Sequence, residues 1–389
     1  MIFFLCMKPL KSIRYSILFA SSFCAFFLFS LSFFFFSSCK KEERKEEMYQ
    51  EVTIAFDTVC SIQLFTTKTE KETKPIFEEI FAKVKQLESI FSPTMRDSEL
   101  FKINLANVGE NIQLSKEMCY LMEENLKIAK MTDGAFNPCM GTLTSLWRPL
   151  LSADKKDNDK MLPSDEALKE ALRHTDYSAL LLNSKVEDAS NEHPADESKK
   201  ASLCCSLLKT SFLLIDLGAS AKGYATDCIK EIIIKNDIEK AIIDFGGNIL
   251  VVGKKAANKA WGVGIKMPIV HNEERIAGAL EVEDKAVVTS GNYERFFEKD
   301  GKIYHHIISS KTGMPVENEL NAVSIIANSA TEADLLSTAC FVLGVEAGST
   351  LMKEFPLVSA VFFLKNGEVV EVNNSKSPFH IIDGNLKLR

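Results

Sequence analysis

Asp334 and Thr338 pair a carboxylate with a hydroxyl four positions apart in an apolar segment. That spacing places both side chains on one face of a helix. Carboxylate and hydroxyl oxygens are hard ligands that suit Mg²⁺, an ion that takes few protein groups and keeps waters or substrate phosphates. The alternative is structural, with an Asp favoured by the helix dipole and a Thr that faces solvent. The pair is therefore a candidate metal site.

A second candidate spans residues 215–225, where Asp216 is followed by small residues and then by Lys222. Small residues let a ligand approach the backbone closely, and the N-terminus of a helix favours phosphate. The P-loop spacing (Gly, four residues, then Gly-Lys-Ser or Gly-Lys-Thr) is absent. The alternative is a strand–turn–helix corner that carries an incidental Lys.

The remaining candidates are a pair of imidazoles and two turns. His305 and His306 are adjacent on a predicted strand, so they point to opposite faces and at most one enters a site. A His can act as a general base or bond a phosphate, whereas no third ligand stands at zinc spacing. Residues 289–293 and the turn at 133–138 expose small, polar and aromatic groups. The alternatives are a half-buried strand His and ordinary turns.

Hydrophobic periodicity predicts the elements that must position these residues. Helices are predicted over residues 71–91, 116–132, 222–234 and 331–343. Strands are predicted over residues 51–65, 212–216, 241–244, 262–266, 278–282, 286–290, 303–308, 322–327 and 357–364. This mixture, without an internal repeat or a clean linker, predicts one α+β domain. Its expected bounds are 51–370, with a loop insertion at 183–210 and a C-terminal tail at 371–389.

The N-terminus predicts export. Three cations precede an uncharged apolar run at 15–36, which is followed by two Ser residues and Cys39. A basic start, an apolar core and small residues are typical of a signal peptide, here 1–38. The Cys resembles the acylated residue of bacterial lipoproteins, which predicts a lipid anchor in the cell membrane and an extracytoplasmic body. An uncleaved membrane anchor is the alternative. Residues 39–50 are predicted to be a charged tether.

Charge and cysteine usage exclude several classes of function. The net charge is −7, and removal of the three signal cations brings it to −10. Because nucleic-acid binding depends on clustered Lys and Arg, this acidic body predicts no nucleic-acid partner. The ten Cys residues are scattered without a CxxC pair, so neither a disulfide framework nor a zinc or iron–sulfur site is expected. Cys204 and Cys205 are predicted to be plain small residues in a loop, and disulfide bonds to distant cysteines are the alternative.

Six segments, in chain order, resemble the motifs of the ApbE family of FAD:protein FMN transferases. The family pattern is DGAFDP, DLGGxAKGYA, DxGGN, TSGxYER, HIIDPxTGxP and ADxxxT. The segments here are DGAFNP (133–138), DLGASAKGYA (216–225), DFGGN (244–248), TSGNYER (289–295), HIISSKTGMP (306–315) and ADLLST (333–338). One such motif is weakly specific, whereas six in order between residues 50 and 370 are strongly specific.

The resemblance implies a fold, a substrate and site residues. The expected fold is one globular unit of two mixed α/β parts, with FAD in the cleft between them. Mg²⁺ would be held by the Ala219 carbonyl and the side chains of Asp334 and Thr338. The residues that the matching positions imply for FAD binding are Phe56, Ala135, Phe136, Asn137, Asp216, Lys222, Ser290 and Ile308.

The implied reaction transfers FMN from FAD to a Thr or Ser hydroxyl of an acceptor flavoprotein, a subunit of a membrane redox complex. The hydroxyl attacks the FMN-side phosphorus and AMP leaves. Mg²⁺ and Lys222 would neutralise charge on the phosphates. His306 is the candidate for accepting the hydroxyl proton, assisted by Asp216 or Asp244.

The sequence also departs from the family pattern. Asn137 replaces an Asp and Ser309-Ser310 replaces Asp-Pro, while Thr94 stands at an aromatic flavin contact. The family's Met-Gly-Thr reads Phe56-Asp57-Thr58. Such losses would weaken flavin binding or shift reactivity. Two alternatives therefore stay open, namely an Mg²⁺-dependent FAD pyrophosphatase that uses water as acceptor, and a non-catalytic flavin-binding surface lipoprotein. The intact metal residues favour the enzymes.

Overall fold

The computed structural model of the protein describes residues 44–151, 160–186, 203–255, 258–268 and 275–389. Residues from Glu46 to Arg389 form one compact unit. The predicted single globular unit is thereby confirmed, and its mixture of helices and strands confirms the predicted α+β class. The predicted signal peptide and Cys39 lie outside the described residues.

A nine-stranded sheet forms the centre of this unit. Its strands, in spatial order, are β1 (Glu47–Ala55), β2 (Thr58–Thr66), β6 (Lys240–Phe245), β7 (Asn248–Val252), β10 (Ala286–Gly291), β13 (Leu320–Ala327), β14 (Ser359–Leu364), β15 (Glu368–Val372) and β17 (Lys387–Leu388). Neighbouring strands are antiparallel except for the parallel pair β15 and β17. Because side chains alternate along each strand, the sheet presents two faces with different partners.

Three long helices pack on one face of the sheet and bury the main hydrophobic core. They are α1 (Glu70–Phe91), α6 (Ala221–Lys235) and α7 (Ala330–Leu351). A capping box between Thr69 and Glu72 starts α1, and its apolar stripe is buried at helical spacing. The helix α7 is long and apolar enough to cross a membrane, but most of it is buried in the core. It is therefore a core helix, kinked at Gly344 where φ is +80°.

Smaller elements complete the fold. A three-stranded sheet covers the other face of the large sheet and shares a second core with it. Its strands are β8 (Trp261–Lys266), β9 (Ile276–Val282) and β16 (Phe379–Ile381). The other elements are α2 (Glu99–Leu105), α3 (Lys116–Met131), α4 (Gly141–Leu151), α5 (Asp165–Leu172), β3 (Asn111–Gln113), β4 (Leu180–Val186), β5 (Leu203–Lys209), β11 (Phe296–Lys299) and β12 (Lys302–His305).

Several sequence-based boundaries were wrong. The single strand predicted at 51–65 is the hairpin β1–β2, because Phe56 and Asp57 both adopt positive φ and turn the chain. The predicted strand at 212–216 joins no sheet. The predicted tether ends early, since β1 begins at Glu47, and the predicted C-terminal tail contributes the end of β15 and the strands β16 and β17. Within the predicted insertion, β4 and β5 pair along their length, while residues 187–202 lie outside the described part.

One disulfide corrects the cysteine prediction. Cys119 on α3 is bonded to Cys205 on β5, across 86 residues of sequence. Cys60, Cys139, Cys228 and Cys340 are free and buried. Sequence spacing could not reveal this pair, because tertiary packing of a helix against a strand brings the two sulfur atoms together. Cys205 is therefore a structural half-cystine.

Candidate functional site

The N-termini of α6 and α7 cap each other through two carboxylates. The Gly223 N–H on α6 donates to Asp334 Oδ2 on α7 over 2.9 Å. In return, Asp227 on α6 accepts hydrogen bonds from the Ala330 and Thr331 N–H groups of α7 at 2.8 and 2.9 Å. Carboxylates satisfy the unpaired amides and the positive dipole at a helix start. These two caps hold Asp334 against the beginning of α6.

The two helices also approach closely at Gly223. A Cβ atom at this position would lie 2.4 Å from the Ala330 carbonyl oxygen and 2.8 Å from Asp334 Cβ. Only Gly fits such an approach, because both distances are shorter than normal contacts. The small size of Gly223 therefore lets the buried carboxylate of Asp334 reach the backbone of the neighbouring helix.

Four oxygen-bearing side chains gather beside this contact. Ser337 Oγ lies 2.9 Å from the Asp334 carbonyl oxygen. Ser290 Oγ, at the end of β10, lies 2.7 Å from Ser337 Oγ and 3.2 Å from Thr338 Oγ1. The structure thus places Ser290 within hydrogen-bond distance of Thr338, one helical turn after Asp334. The metal and FAD contacts of these residues stay predictions. Ser337 is an addition that the sequence reasoning missed.

These oxygens fit a Mg²⁺ ion. Asp334 is 3% exposed, yet within the described residues its carboxylate accepts one hydrogen bond and has no ion-pair partner. A buried carboxylate with so few partners is stabilised by a cation. The helix α6 makes its first internal bond from Tyr224 N–H to the Ser220 carbonyl, and no hydrogen bond among the described residues ends on the Ala219 carbonyl. The residues that would hold Mg²⁺ are Ala219, Asp334 and Thr338, all through hard oxygens.

Other metals fit this part of the molecule less well. In the part of the chain that the structure describes, no three or more His, Cys, Asp or Glu side chains form a group that could hold a metal ion. Zinc and soft metals prefer such groups. The donor set of one carboxylate, one hydroxyl and one carbonyl is instead typical of an ion that keeps part of its water or binds phosphate.

Lys222 and Glu294 supply opposite charges near the oxygen cluster. Loss of surrounding water raises the pKa of Glu294, while the positive charge of Lys222 opposes that shift and the negative charge of Asp334 adds to it. Glu294 Oε1 also lies 3.8 Å from the position of a Cβ on Gly247. The three charged groups and the turn between β6 and β7 are therefore neighbours. Glu294 belongs to a motif that the sequence singled out, but its role was not predicted.

His306 follows β12 and remains partly exposed, while its neighbour His305 is buried. Loss of surrounding water, then the charges of His305, Arg295 and Lys222, lower the pKa of His306 to about 3. The imidazole is therefore neutral at pH 7, the form that can accept a proton. Nearby negative charge on a bound phosphate group would raise this pKa again.

Asp216 is held in place by its own neighbours. Its Oδ2 atom accepts from Thr144 Oγ1 at 2.7 Å and from Arg148 at 3.0 Å, while Oδ1 accepts from the Gly218 N–H at 2.9 Å. Both oxygens are therefore engaged, and the structure records no contact between Asp216 and His306. Its geometry suits the shaping of the turn before α6 more than proton transfer.

Asp244 and Asn248 lie on opposite faces of the large sheet. Asp244 pairs with Ile249, whereas Asn248 pairs with Phe245 and Val288, so alternation directs them to different sides. Asn248 is on the side of Phe245 in the main core, where α6 and α7 pack. The exposed Asp244 instead accepts from the Gly247 N–H at 3.0 Å. The predicted assistance of His306 by Asp244 has no contact that supports it.

Asn248 was missed as a site residue. It is 3% exposed, and its Nδ2 atom has no hydrogen-bond partner. Its strand partner Val288 lies two residues before Ser290, so Asn248 and Ser290 are diagonal neighbours on the same face. A buried amide donor without a partner costs free energy unless something else accepts its proton. It is a group that a ligand at this site would satisfy.

The loop at 306–315 packs against the turn at 133–138. Ser310 Oγ donates to the Gly134 carbonyl at 2.7 Å. The Asn137 side chain is already engaged, donating to the Thr175 carbonyl and accepting from the Cys139 N–H. The rings and side chains of Phe136 and Ile308 are buried, at 4% and 7% exposure. Contacts from these residues to FAD stay predictions, and the partly exposed Ala135 lies in the same turn.

Phe56 occupies the turn of the β1–β2 hairpin. Its N–H donates to Glu88 Oε1 at 2.8 Å, and its ring meets Phe245 edge to face with the centroids 5.6 Å apart. The ring therefore packs against the main core. The turn lies beside the β6–β7 turn, since Gly246 N–H donates to the Val59 carbonyl. Its predicted contact with the flavin nucleotide stays a prediction.

Hydrogen bonds connect five of the six motif segments into one set, and the strand pairing of Asn248 with Val288 places the sixth beside them. Asp216 N–H reaches the Pro138 carbonyl, His306 N–H reaches the Arg295 carbonyl, and Ser290 reaches Ser337. The ApbE family model matches residues 56–362 of this chain. The chain belongs to the ApbE family.

Known members of the ApbE family are similar over most of the chain. A FAD:protein FMN transferase of Treponema pallidum is 34% identical over 330 residues, which cover 82% of this chain and 86% of that protein. A FAD:protein FMN transferase of Klebsiella pneumoniae is 27% identical and covers 79% of this chain and 88% of its own length.

Solved structures of the family share the fold. The ApbE protein of Thermotoga maritima is 30% identical, with a TM-score of 0.68 over 83% of this chain and 96% of that chain. The flavin transferase ApbE of Vibrio cholerae is 24% identical, with a TM-score of 0.70 over 85% of this chain and 99% of that chain. The second likeness concerns the fold alone.

Proposed function

We propose that this protein is an Mg²⁺-dependent FAD:protein FMN transferase. The observation that carries the proposal is the contact between α6 and α7, where Gly223 holds the buried Asp334 beside Thr338 and Lys222. FAD contains a diphosphate whose negative charge must be neutralised before a P–O bond of the P–O–P bridge is cut. A hard-oxygen site beside a Lys at a helix N-terminus is suited to that task. The names of the similar proteins agree with the transferase activity.

The chain's own residues perform the remaining steps. Lys222 binds phosphate oxygens, and Asp334, Thr338 and Ala219 would hold Mg²⁺, which when bound neutralises charge on the diphosphate. A Thr or Ser hydroxyl of the acceptor forms a new O–P bond to the FMN phosphorus. The P–O bond to AMP breaks, and AMP leaves with the electron pair. His306 is neutral at pH 7 and takes the hydroxyl proton.

The proposal includes the place of action. The sequence favours an N-terminal lipid anchor at Cys39, with the body outside the cytoplasm and an acceptor flavoprotein subunit in the same membrane. The Cys119–Cys205 disulfide supports this, because disulfides persist mainly in oxidising compartments. Bacteria that produce the protein can be labelled with a radioactive fatty acid to test the anchor. The wild-type protein should incorporate the label, and Cys39→Ser should abolish its incorporation.

The activity is tested with purified residues 40–389, FAD and Mg²⁺, with and without an acceptor flavoprotein. Covalent flavin on the acceptor together with AMP, both abolished by EDTA, is the expected result. AMP with free FMN, with or without acceptor, would establish the pyrophosphatase instead. No AMP under any condition would leave a flavin-binding protein.

A variant of the proposed base refines the test. His306→Ala should lose transfer while still binding FAD, because the backbone and metal residues are unchanged. His380→Ala is the matched control, since His380 is an exposed His on β16. Equal transfer rates in the two variants would refute a base role for His306.

A further inference from the structure

A chain of three hydroxyls ends on a backbone carbonyl at the centre of the site. Thr338 Oγ1 lies 3.2 Å from Ser290 Oγ, which lies 2.7 Å from Ser337 Oγ, which lies 2.9 Å from the Asp334 carbonyl oxygen. Ser337 is fully buried, and Ser290 reaches it from the neighbouring strand β10. This chain of hydroxyls runs from the helix α7 to the strand β10 and back to α7.

The direction of these hydrogen bonds follows from their chemistry. A carbonyl oxygen only accepts, so Ser337 donates its single hydroxyl proton to Asp334. Ser337 has no further proton to give, so in its hydrogen bond with Ser290 it accepts and Ser290 donates. Ser290 in turn can only accept from Thr338. The carbonyl at one end thereby sets the direction of every proton in the chain.

We infer that Ser337 and Ser290 are positioning residues that turn the Thr338 hydroxyl proton away from the metal site and leave its oxygen lone pairs free for Mg²⁺. The inference rests on the proposed function, because it concerns the same ion. It changes the expected role of Ser290, which the sequence placed among the FAD contacts. A cation repels a hydroxyl proton directed at it, so a hydroxyl turned the wrong way is a poor ligand.

Removal of Ser337 should reverse the direction of the chain. In Ser337→Ala, the Ser290 proton has lost its acceptor and can turn to Thr338 Oγ1, where it occupies a lone pair. We expect Mg²⁺ to bind the FAD-free protein about tenfold more weakly, the effect of one lost oriented hydrogen bond. Calorimetric titration with MgCl₂ measures this without any turnover.

A double variant separates positioning from general damage. Ser337 acts through Ser290, so Ser337→Ala should add nothing in a Ser290→Ala background. Ser290→Thr, which keeps the hydroxyl on the strand, should restore most of the affinity. Two independent structural losses would instead add together, and that additivity would overturn the inference.

A matched control comes from the same region. Thr289 Oγ1 and Ser324 Oγ also share a 2.7 Å hydrogen bond, and Ser324 is fully buried. Ser324→Ala therefore removes a comparable hydroxyl on the sheet without touching the chain, and should leave Mg²⁺ affinity unchanged. An equal loss in Ser324→Ala and Ser337→Ala would also overturn the inference.

The proposed function and the inference can fail separately. Asp334→Ala should abolish Mg²⁺ binding. If it does so while Ser337→Ala binds Mg²⁺ as the wild type does, the proposed function stands and the inference falls. If the wild-type protein itself binds no Mg²⁺, both are overturned.

Discussion

Gly223→Ala tests the geometry of the contact between α6 and α7. The added Cβ would lie 2.4 Å from the Ala330 carbonyl oxygen, so the helices must separate by about 1 Å to reach an ordinary contact. Such overpacking costs about 1–3 kcal/mol, and loss of the bond from Gly223 N–H to the Asp334 carboxylate costs about 1.5–3 kcal/mol. The higher helix propensity of Ala returns about 1 kcal/mol. The expected net destabilisation is about 1.5–5 kcal/mol.

A second effect should appear in the metal site. Asp334 moves away from Ala219 when the helices separate, so we expect Mg²⁺ affinity to fall at least about tenfold. Thermal unfolding with and without MgCl₂ measures both effects, since a bound ion stabilises the folded protein by an amount that grows with the logarithm of its concentration over Kd. Gly262→Ala is the control, because no atom lies within 4 Å of the Cβ position there. A Gly223→Ala protein with wild-type stability and a wild-type response to Mg²⁺ would refute the reasoning.

Three further predictions concern other parts of the molecule. Reduction of the Cys119–Cys205 bond, or Cys119→Ser, should destabilise the protein by about 2–4 kcal/mol, and an unfolding midpoint unchanged by reductant would contradict this. Burial lowers the pKa of His305 to about 4, below its value in the unfolded chain. The free energy of unfolding should therefore be highest above pH 6.5 and fall by up to ~3 kcal/mol towards pH 4. Urea unfolding at several pH values measures this dependence, which should be weaker in His305→Gln. Asn248→Leu should leave the FAD-free protein as stable as the wild type or about 1 kcal/mol more stable, but should weaken FAD binding about tenfold. The control Asn125→Leu should be destabilised, because Asn125 donates hydrogen bonds to Leu121 and Ser220.

The His305 prediction rests on a fully paired neutral ring. Its Nε2–H donates to the Val316 carbonyl at 3.0 Å, and its Nδ1 accepts from the Ile307 N–H at 3.3 Å. A second ring proton would remove that acceptor, so protonation opposes folding. Equal slopes in His305→Gln and the wild type would assign the acid sensitivity to other groups.

Local patterns in the sequence were sufficient for most elements of the fold. Periodic apolar residues predicted α1, α6 and the start of α7 to within a few residues, because a helix buries one stripe whatever lies opposite. The pair of Asp334 and Thr338 was found in the same way, since both lie on one helical face. The family could also be inferred, because six short motifs in order carry more information than any one of them.

Only the tertiary structure decided what each motif residue contacts. The carboxylate of Asp216 is committed to Thr144 and Arg148, and Asp244 lies on the far face of the sheet from Ser290. Neither fact is visible along the chain, because each depends on a partner far away in sequence. The Cys119–Cys205 bond and the unpaired amide of Asn248 are further cases.

The candidate metal site shows which features follow from the sequence and which from the tertiary structure. The residue types that suit Mg²⁺ and phosphate follow from the chemistry of individual side chains, which the sequence states directly. Their arrangement depends on α6 and α7, two helices that cap each other's N-termini. Gly223 and Asp334, which are bonded at this contact, are 111 residues apart in the sequence. Hydrogen bonds and close contacts act over a few ångströms, so packing alone determines which of the chemically suitable residues meet.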